Sequence, residues 1–97
     1  MSAQAPSTEG VEAGFGGQVP AIEPLLAEVI STLTLVAHAY LADYDGRSPD
    51  LASAEVAIDV AADAFDRVKE RLRPDERLAM TQMLTETRLT FIRKRDA

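Results

Sequence analysis

The chain has 97 residues, 46% of them hydrophobic, and a formal net charge of −6, enough for one small domain. No lysine or arginine precedes Arg47, while six acidic residues do, and this acidic first half argues against general nucleic-acid binding, which needs a basic surface. The absence of cysteine excludes disulfides, thiolate nucleophiles and cysteine-based zinc sites. A domain this small buries a modest share of its surface, so we expect it to have a partner.

The first 19 residues predict a disordered N-terminal tail ahead of a single helical domain over 20–97. Residues 1–18 are rich in glycine, proline and small polar residues, and their main apolar side chains are Val11 and Phe15. No basic residue followed by an apolar run opens the chain, so we expect no signal peptide. Thr34 and His38 interrupt the most apolar helix, which makes it a poor membrane span. We therefore expect a soluble cytoplasmic protein with no membrane association.

A first helix is predicted over about 22–44, beginning near two prolines that suit a first turn, Pro20 and Pro24. Its apolar residues cover an arc of roughly 160° when each residue advances by about 100°. They are Ile22, Leu25, Leu26, Val29, Ile30, Leu33, Val36, Ala37, Tyr40, Leu41 and Tyr44. So broad an arc is typical of a helix that lies between two others or also faces another subunit.

A second helix is predicted over about 50–72, with Ser48 or Asp50 as its N-terminal cap. Apolar residues recur at alternating spacings of three and four and form one narrow stripe. They are Leu51, Ala54, Ile58, Ala61, Phe65, Val68 and Leu72. A stripe of this kind must be covered in water, so we expect the other helices to pack around it.

A third helix is predicted over about 74–94, since Pro74 cannot continue the preceding helix but suits a first turn. It carries two apolar stripes: Met80, Met83, Leu84, Thr87 and Phe91 on one side, and Leu78, Leu89 and Ile92 nearly opposite. The connection is short, so helices two and three should form an antiparallel hairpin, covered by helix one. Asp59 and Arg88 then stand at the same level, and we predict an interhelical ion pair between them.

At these residues the chain resembles the uncharacterised bacterial domain-of-unknown-function family 1844. The resemblance spans roughly residues 33–92. It rests on Ala54, Ile58 and Asp59, on Leu72 and Glu76, on Leu84, Arg88, Leu89 and Phe91, and on Leu33, Ala37, Tyr40 and Leu41. It implies a short helical domain of the bacterial cytoplasm. The family has no assigned reaction, so the resemblance supplies no catalytic residue, and Asp59 and Arg88 match only as pattern positions.

No catalytic, cofactor-binding or metal-ligating residue is predicted, because no known catalytic motif occurs in the chain. Glu55, Asp59, Asp63 and Asp66 share one flank of helix two and could hold a hard cation. Basic residues alternate with them and the Glu-x-x-His pairs of helical metal sites are absent, which favours a solvated, salt-bridged surface. The single histidine, His38, lies on the polar side of helix one, where we expect a surface or interface role.

The predicted function is a non-catalytic oligomerisation or adaptor module, with a homodimer favoured. Its expected contact surface lies on helices one and three and comprises Leu78, Leu89, Ile92, Leu26, Ile30, Leu41 and Tyr44. One alternative is a small metal- or ligand-binding protein or enzyme that uses the carboxylate flank of helix two. Another is docking of the basic end, Arg93 to Arg95, onto an anionic partner.

Overall fold

The computed structural model of the protein describes residues 19–43 and 45–97, and it confirms an all-α, three-helix fold. Helix α1 spans Ile22–Leu41, α2 spans Leu51–Val68 and α3 spans Pro74–Arg95. A short 3₁₀ turn, Lys69–Arg71, joins α2 to the connector before α3. The predicted tail lies outside the described residues apart from Val19, which is exposed.

Helix α1 ends at Leu41, three residues before the predicted end. Ala42 is already extended, and Asp45 and Gly46 follow with φ of 57° and 70°. This left-handed region favours glycine and is tolerated by aspartate, so the pair turns the chain. The Asp50 N–H then donates to the Tyr40 carbonyl, 2.8 Å away, which ties the start of α2 to the end of α1.

The cap of α2 is formed by Asp50, one of the two predicted capping residues. Its carboxylate accepts from the Ser53 backbone N–H at 3.0 Å and from the Ser53 hydroxyl at 2.8 Å. At the other end α2 stops at Val68 rather than near Leu72. The backbone tightens into the 3₁₀ turn and is extended at Leu72 and Arg73, because a residue before proline avoids the helical region.

The predicted stripe of α2 is the centre of the bundle. All of its members are buried except Leu51, which is half-buried at the start of the helix. The other helices contribute Ile30, Ala37 and Leu41 from α1 and Phe91 from α3 to the same core. Ile58, at 1% exposure, is among the largest fully buried side chains.

Helices α1 and α2 form the most extensive interhelical contact, and α3 packs on one side of this pair. Ala54 and Ala57 of α2 lie in one cluster with Ala37 and Leu41 of α1. Small side chains let two helices approach closely. The predicted antiparallel hairpin of α2 and α3 is present, with Arg88 of α3 against Asp59 of α2, and α1 makes its more extensive contact with α2.

Candidate functional site

The side of the α1–α2 pair that α3 covers contains buried hydroxyl groups. Thr34 and Thr87 are 2% and 0% exposed. The Thr34 hydroxyl lies 3.1 Å from the Ile30 carbonyl and 3.3 Å from the Met83 sulfur of α3. The Thr87 hydroxyl donates to the Met83 carbonyl at 2.8 Å. Intrahelical bonds of this kind satisfy a hydroxyl that would otherwise be costly to bury.

His38 takes part in this contact between α1 and α3. Its Nε2 atom lies 3.1 Å from the Thr87 hydroxyl oxygen. Because the Thr87 proton is directed at the Met83 carbonyl, the Thr87 oxygen accepts here and the His38 Nε2–H donates. The ring itself is exposed at the surface. His38 therefore lies at a helix–helix contact, which fits a structural role better than general base catalysis in a pocket.

Ion pairs line the border of α3. The predicted pair is present, with 3.2 Å between Arg88 Nη2 and Asp59 Oδ1 and more than a third of each side chain exposed. Lys94 of α3 lies 3.1 Å from the Asp43 carboxylate at the end of α1. The hydrogen bond from Lys94 and its positive charge hold the pKa of Asp43 below its ordinary value. These exposed contacts fix the position of α3 more than they stabilise it.

The carboxylate flank of α2 is arranged as a solvated, salt-bridged surface. Asp63 pairs with Arg67 at 3.0 Å and Asp66 with Lys69 at 3.2 Å, in addition to the contact of Asp59 with α3. Within the described ranges, no three histidine, aspartate or glutamate side chains are grouped so that they could hold a metal ion. The geometry thus gives the metal-dependent alternative no support.

The structure corrects the predicted contact surface on helices one and three. Ile30 and Leu41 are 0% and 1% exposed, so they belong to the core and cannot meet a partner in this fold. Leu26 and Ile92 are half-buried and pack against core residues. Tyr44 lies outside the described residues.

The outer side of α3 keeps two exposed leucines, Leu78 and Leu89. Eleven residues separate them, which is roughly 16 Å along a helix. Thr81, Gln82 and Thr85 are exposed between them. Leu89 lines a groove of about 270 Å³ with Ala62 and Leu84. With Ile92 partly packed inside and Leu78 separated from Leu89, the continuous stripe that the sequence predicted is interrupted.

A continuous apolar surface instead lies on α1 and α2, away from α3, and we call it the open face. It consists of Ile22, Leu25, Val29, Thr32, Leu33, Val36 and Tyr40 on α1 and of Ala52, Ser53, Val56, Ala57 and Val60 on α2. Its large exposed members range from 38% exposure at Tyr40 to 64% at Val56.

Two shallow grooves that share Leu33 make up most of the open face. The first, about 370 Å³, runs between the helices, with Val36 and Tyr40 on one wall and Val56 on the other. The second, about 590 Å³, follows the N-terminal half of α1 past Leu25. Glu28, at its edge, is the one charged side chain among the residues that line these two grooves.

The sequence contained a signal for the part of this surface that lies on α2. Val56 and Val60 fall on the flank opposite the carboxylates, beside the small residues Ser53, Ala57 and Ala64. Spacings of three and four among these residues define a second apolar stripe next to the buried one. The broad arc of α1 predicted a second contact for that helix, but α2, rather than α3, supplies the adjoining surface.

Helix α1 is the one helix in the described residues that is long and apolar enough to cross a membrane, with a mean hydropathy of 1.4. Thr34 interrupts it less than expected, because its hydroxyl bonds within the helix. A mostly buried core helix of a soluble protein passes the same test, but 22% of this window is buried, with Ile30, Ala37 and Leu41 in the core.

No family model, no curated protein and no solved structure matches the chain. The resemblance to the domain-of-unknown-function family 1844 therefore stays a prediction from the residues that carry it.

Proposed function

We propose that the protein is a small, non-catalytic oligomerisation or adaptor module that binds a protein partner through the open face. The observation that carries the proposal is the continuity of this apolar surface across two helices of a small domain. The largest contiguous apolar surface on a small soluble protein is often functional, and larger ones mark interaction sites. The sequence predicted a contact surface on α1 and α3. The proposed surface lies on α1 and α2 instead.

The composition of the open face supports contact with protein. Aliphatic side chains and one tyrosine, Tyr40, occupy its centre, and the charged residues lie at its edges. Interface cores are depleted in charge and enriched in aromatic residues in the same way. The proposal keeps the expected cytoplasmic location, in which α1 serves as a bundle helix with one side in the core and the other against a partner.

Photo-cross-linking in the producing cell tests the proposal. A benzophenone amino acid replaces Val56 on the open face or, as a control, Leu78 on α3, where the side chain is 60% exposed. We expect a discrete cross-linked protein product at Val56, whether with a second copy of the chain or with another protein, and none at Leu78. Equal labelling at the two positions, or no product at Val56, would contradict the proposal.

A further inference from the structure

We infer that the occupant of the open face is a second copy of this chain, related by a two-fold axis that runs parallel to α1 and α2. In this arrangement α1 of each copy lies on α2 of the other. The inference rests on the proposed function and adds the identity of the partner and the geometry of the contact. Four features of the open face support it: its area, its shape, its register and the charge at its edge.

The first feature is the exposed apolar area. Six large side chains of the open face are between 38% and 64% exposed: Ile22, Leu25, Val29, Tyr40, Val56 and Val60. An aromatic side chain buries on the order of 150–250 Å² and the five aliphatic ones are smaller, so these exposed fractions leave a few hundred Å² of apolar surface in water. A standard interface buries roughly 800 Å² per partner, of which somewhat over half is apolar. The open face therefore matches one side of a stable dimer.

The second feature is the unequal size of the side chains on the two helices. The α1 half is bulky, with leucine, isoleucine and tyrosine, whereas the α2 half is built from alanine, serine and valine. A two-fold axis along the groove places the bulky half of each copy over the small half of the other. Large side chains opposite small ones give interdigitated packing, and the contact is isologous, as in most homodimers.

The third feature is the register that the structure fixes within one chain. Glu23 pairs with Arg71 at 2.7 Å at one end of the α1–α2 pair. At the other end the Asp50 N–H meets the Tyr40 carbonyl. Between these anchors Val36 and Val56 line the same groove, so they stand at one level. An axis parallel to the helices preserves that level and sets Val36 of one copy opposite Val56 of the other.

The fourth feature is the charge at the edge of the open face. Glu28 lies at the outer edge of α1, and by the same register it stands near the level of Ala64. Arg67, one turn further, lies at the outer edge of α2 and is 74% exposed beside Asp63. The proposed axis brings Glu28 of each copy to the same edge as Arg67 of the other. Arg67 is opposite in charge to Glu28 and can attract it at this rim, while its present partner Asp63, a like charge, lies at the same edge.

Sedimentation across a concentration series, on the full chain, tests the identity of the partner. We expect a monomer–dimer equilibrium that Val56→Glu weakens by roughly 100-fold, since it would bury a carboxylate without a partner. Leu78→Glu adds the same charge at an exposed apolar position on α3, outside the open face, and should leave the equilibrium unchanged. Circular dichroism should show the same helix content in both variants, because both side chains are exposed in the monomer.

Single cysteines test the geometry, since the chain has no cysteine of its own. A mixture of Val36→Cys and Val56→Cys proteins should form a mixed disulfide dimer under mild oxidation, while Val36→Cys alone should form little. A mixture of Leu78→Cys and Val56→Cys serves as the control and should not cross-link above background, because Leu78 lies on α3. Efficient cross-linking of Val36→Cys to itself would place α1 on α1 and overturn the proposed axis.

Other occupants of the open face give other outcomes. A wild-type chain that is monomeric throughout overturns the inference, and so does a dimer that tolerates Val56→Glu. A monomer that dimerises when residues 1–18 are removed assigns the face to that segment instead. A monomer that floats with phosphatidylcholine vesicles unless Val56→Glu is present assigns it to a lipid surface. A heterologous product in the Val56 photo-cross-linking experiment would overturn the second copy while leaving the proposed function intact.

Discussion

The two sides of the α1–α2 pair differ in what they present. The side under α3 contains the buried hydroxyls of Thr34 and Thr87 and is bordered by exposed ion pairs. The open face presents large aliphatic side chains and Tyr40, with charged residues only at its edges. The side under α3 thus adds particular polar contacts to an apolar core that includes Ile30 and Phe65, whereas the open face is a shallow and mainly apolar surface.

This difference indicates how the two contacts are specified. Hydroxyl bonds and ion pairs at defined levels fix where α3 lies, while contributing modestly to stability. A uniformly apolar surface sets no such register by itself but has more hydrophobic free energy to gain on burial. We therefore expect the contact on the open face to depend on shape and area, and the contact with α3 to depend on particular polar groups.

The largest effect on stability is expected in the core of the bundle, between the side under α3 and the open face. Ile58→Ala should lower the free energy of unfolding by about 2–5 kcal/mol, because it leaves a cavity among packed side chains. Leu35→Ala, at a position that is 72% exposed, should change it little. Urea denaturation of both variants, at concentrations below any association, measures the difference. Equal tolerance at the two positions would show that the buried side of α2 is misassigned.

The polar contact under α3 should show an intermediate effect. Thr87→Val keeps the shape but removes the hydroxyl that accepts from His38, so the free energy of unfolding should fall by about 0.5–1.5 kcal/mol. Thr81→Val is the matched control, since Thr81 makes the same bond to the carbonyl four residues earlier but is exposed and contacts no other helix. If the two variants lose equal stability in thermal melts, the interhelical bond contributes nothing.

The ion pair at the border of α3 should contribute less. A double-mutant cycle with Asp59→Asn and Arg88→Gln should give a coupling energy of roughly 0.2–1 kcal/mol, the range for exposed pairs. Both side chains are substantially exposed, so the coupling should shrink as salt is added. A coupling that is unchanged at high salt would mean that the pair is shielded from solvent and that α3 is held more firmly than the exposed contacts indicate.

The smallest effect on stability is expected at the start of α2, which lies neither under α3 nor on the open face. Hydrogen bonds from the Ser53 backbone N–H and then from its hydroxyl hold the pKa of Asp50 below its ordinary value of 3.8. A group with a lowered folded-state pKa stabilises the fold above that ordinary value, and this contribution is lost as the pH falls through the folded-state pKa.

Asp50→Asn tests this assignment, because asparagine also caps helices but does not titrate. The variant should therefore lose less stability than the wild type between pH 5 and pH 2, roughly the range over which carboxylates titrate. Chemical denaturation at several pH values measures the slope. An identical pH dependence in the two proteins would show that other carboxylates account for the acid sensitivity.

The sequence by itself determined the three helices, the buried stripe of α2 and the pairing of Asp59 with Arg88. Periodicity and a short proline-bounded connection fix these features, because they depend on side chains near one another along a helix or across one turn. The ends of α1 and α2 were less accessible. The left-handed turn at Asp45 and Gly46 and the 3₁₀ turn before Pro74 arise from backbone geometry that apolar spacing does not report.

Only the tertiary structure decided which apolar residues are buried in the core of the chain. Ile30 and Leu25 lie on the same broad arc of α1, yet one is core and the other is part of the open face. Small alanines on α2 draw α1 close and bury one edge of that arc, while α3 covers one side of the pair and leaves the other open. The sequence of a helix determines how wide its apolar arc is. The helices packed against it determine which part of that arc is buried and which part stays exposed.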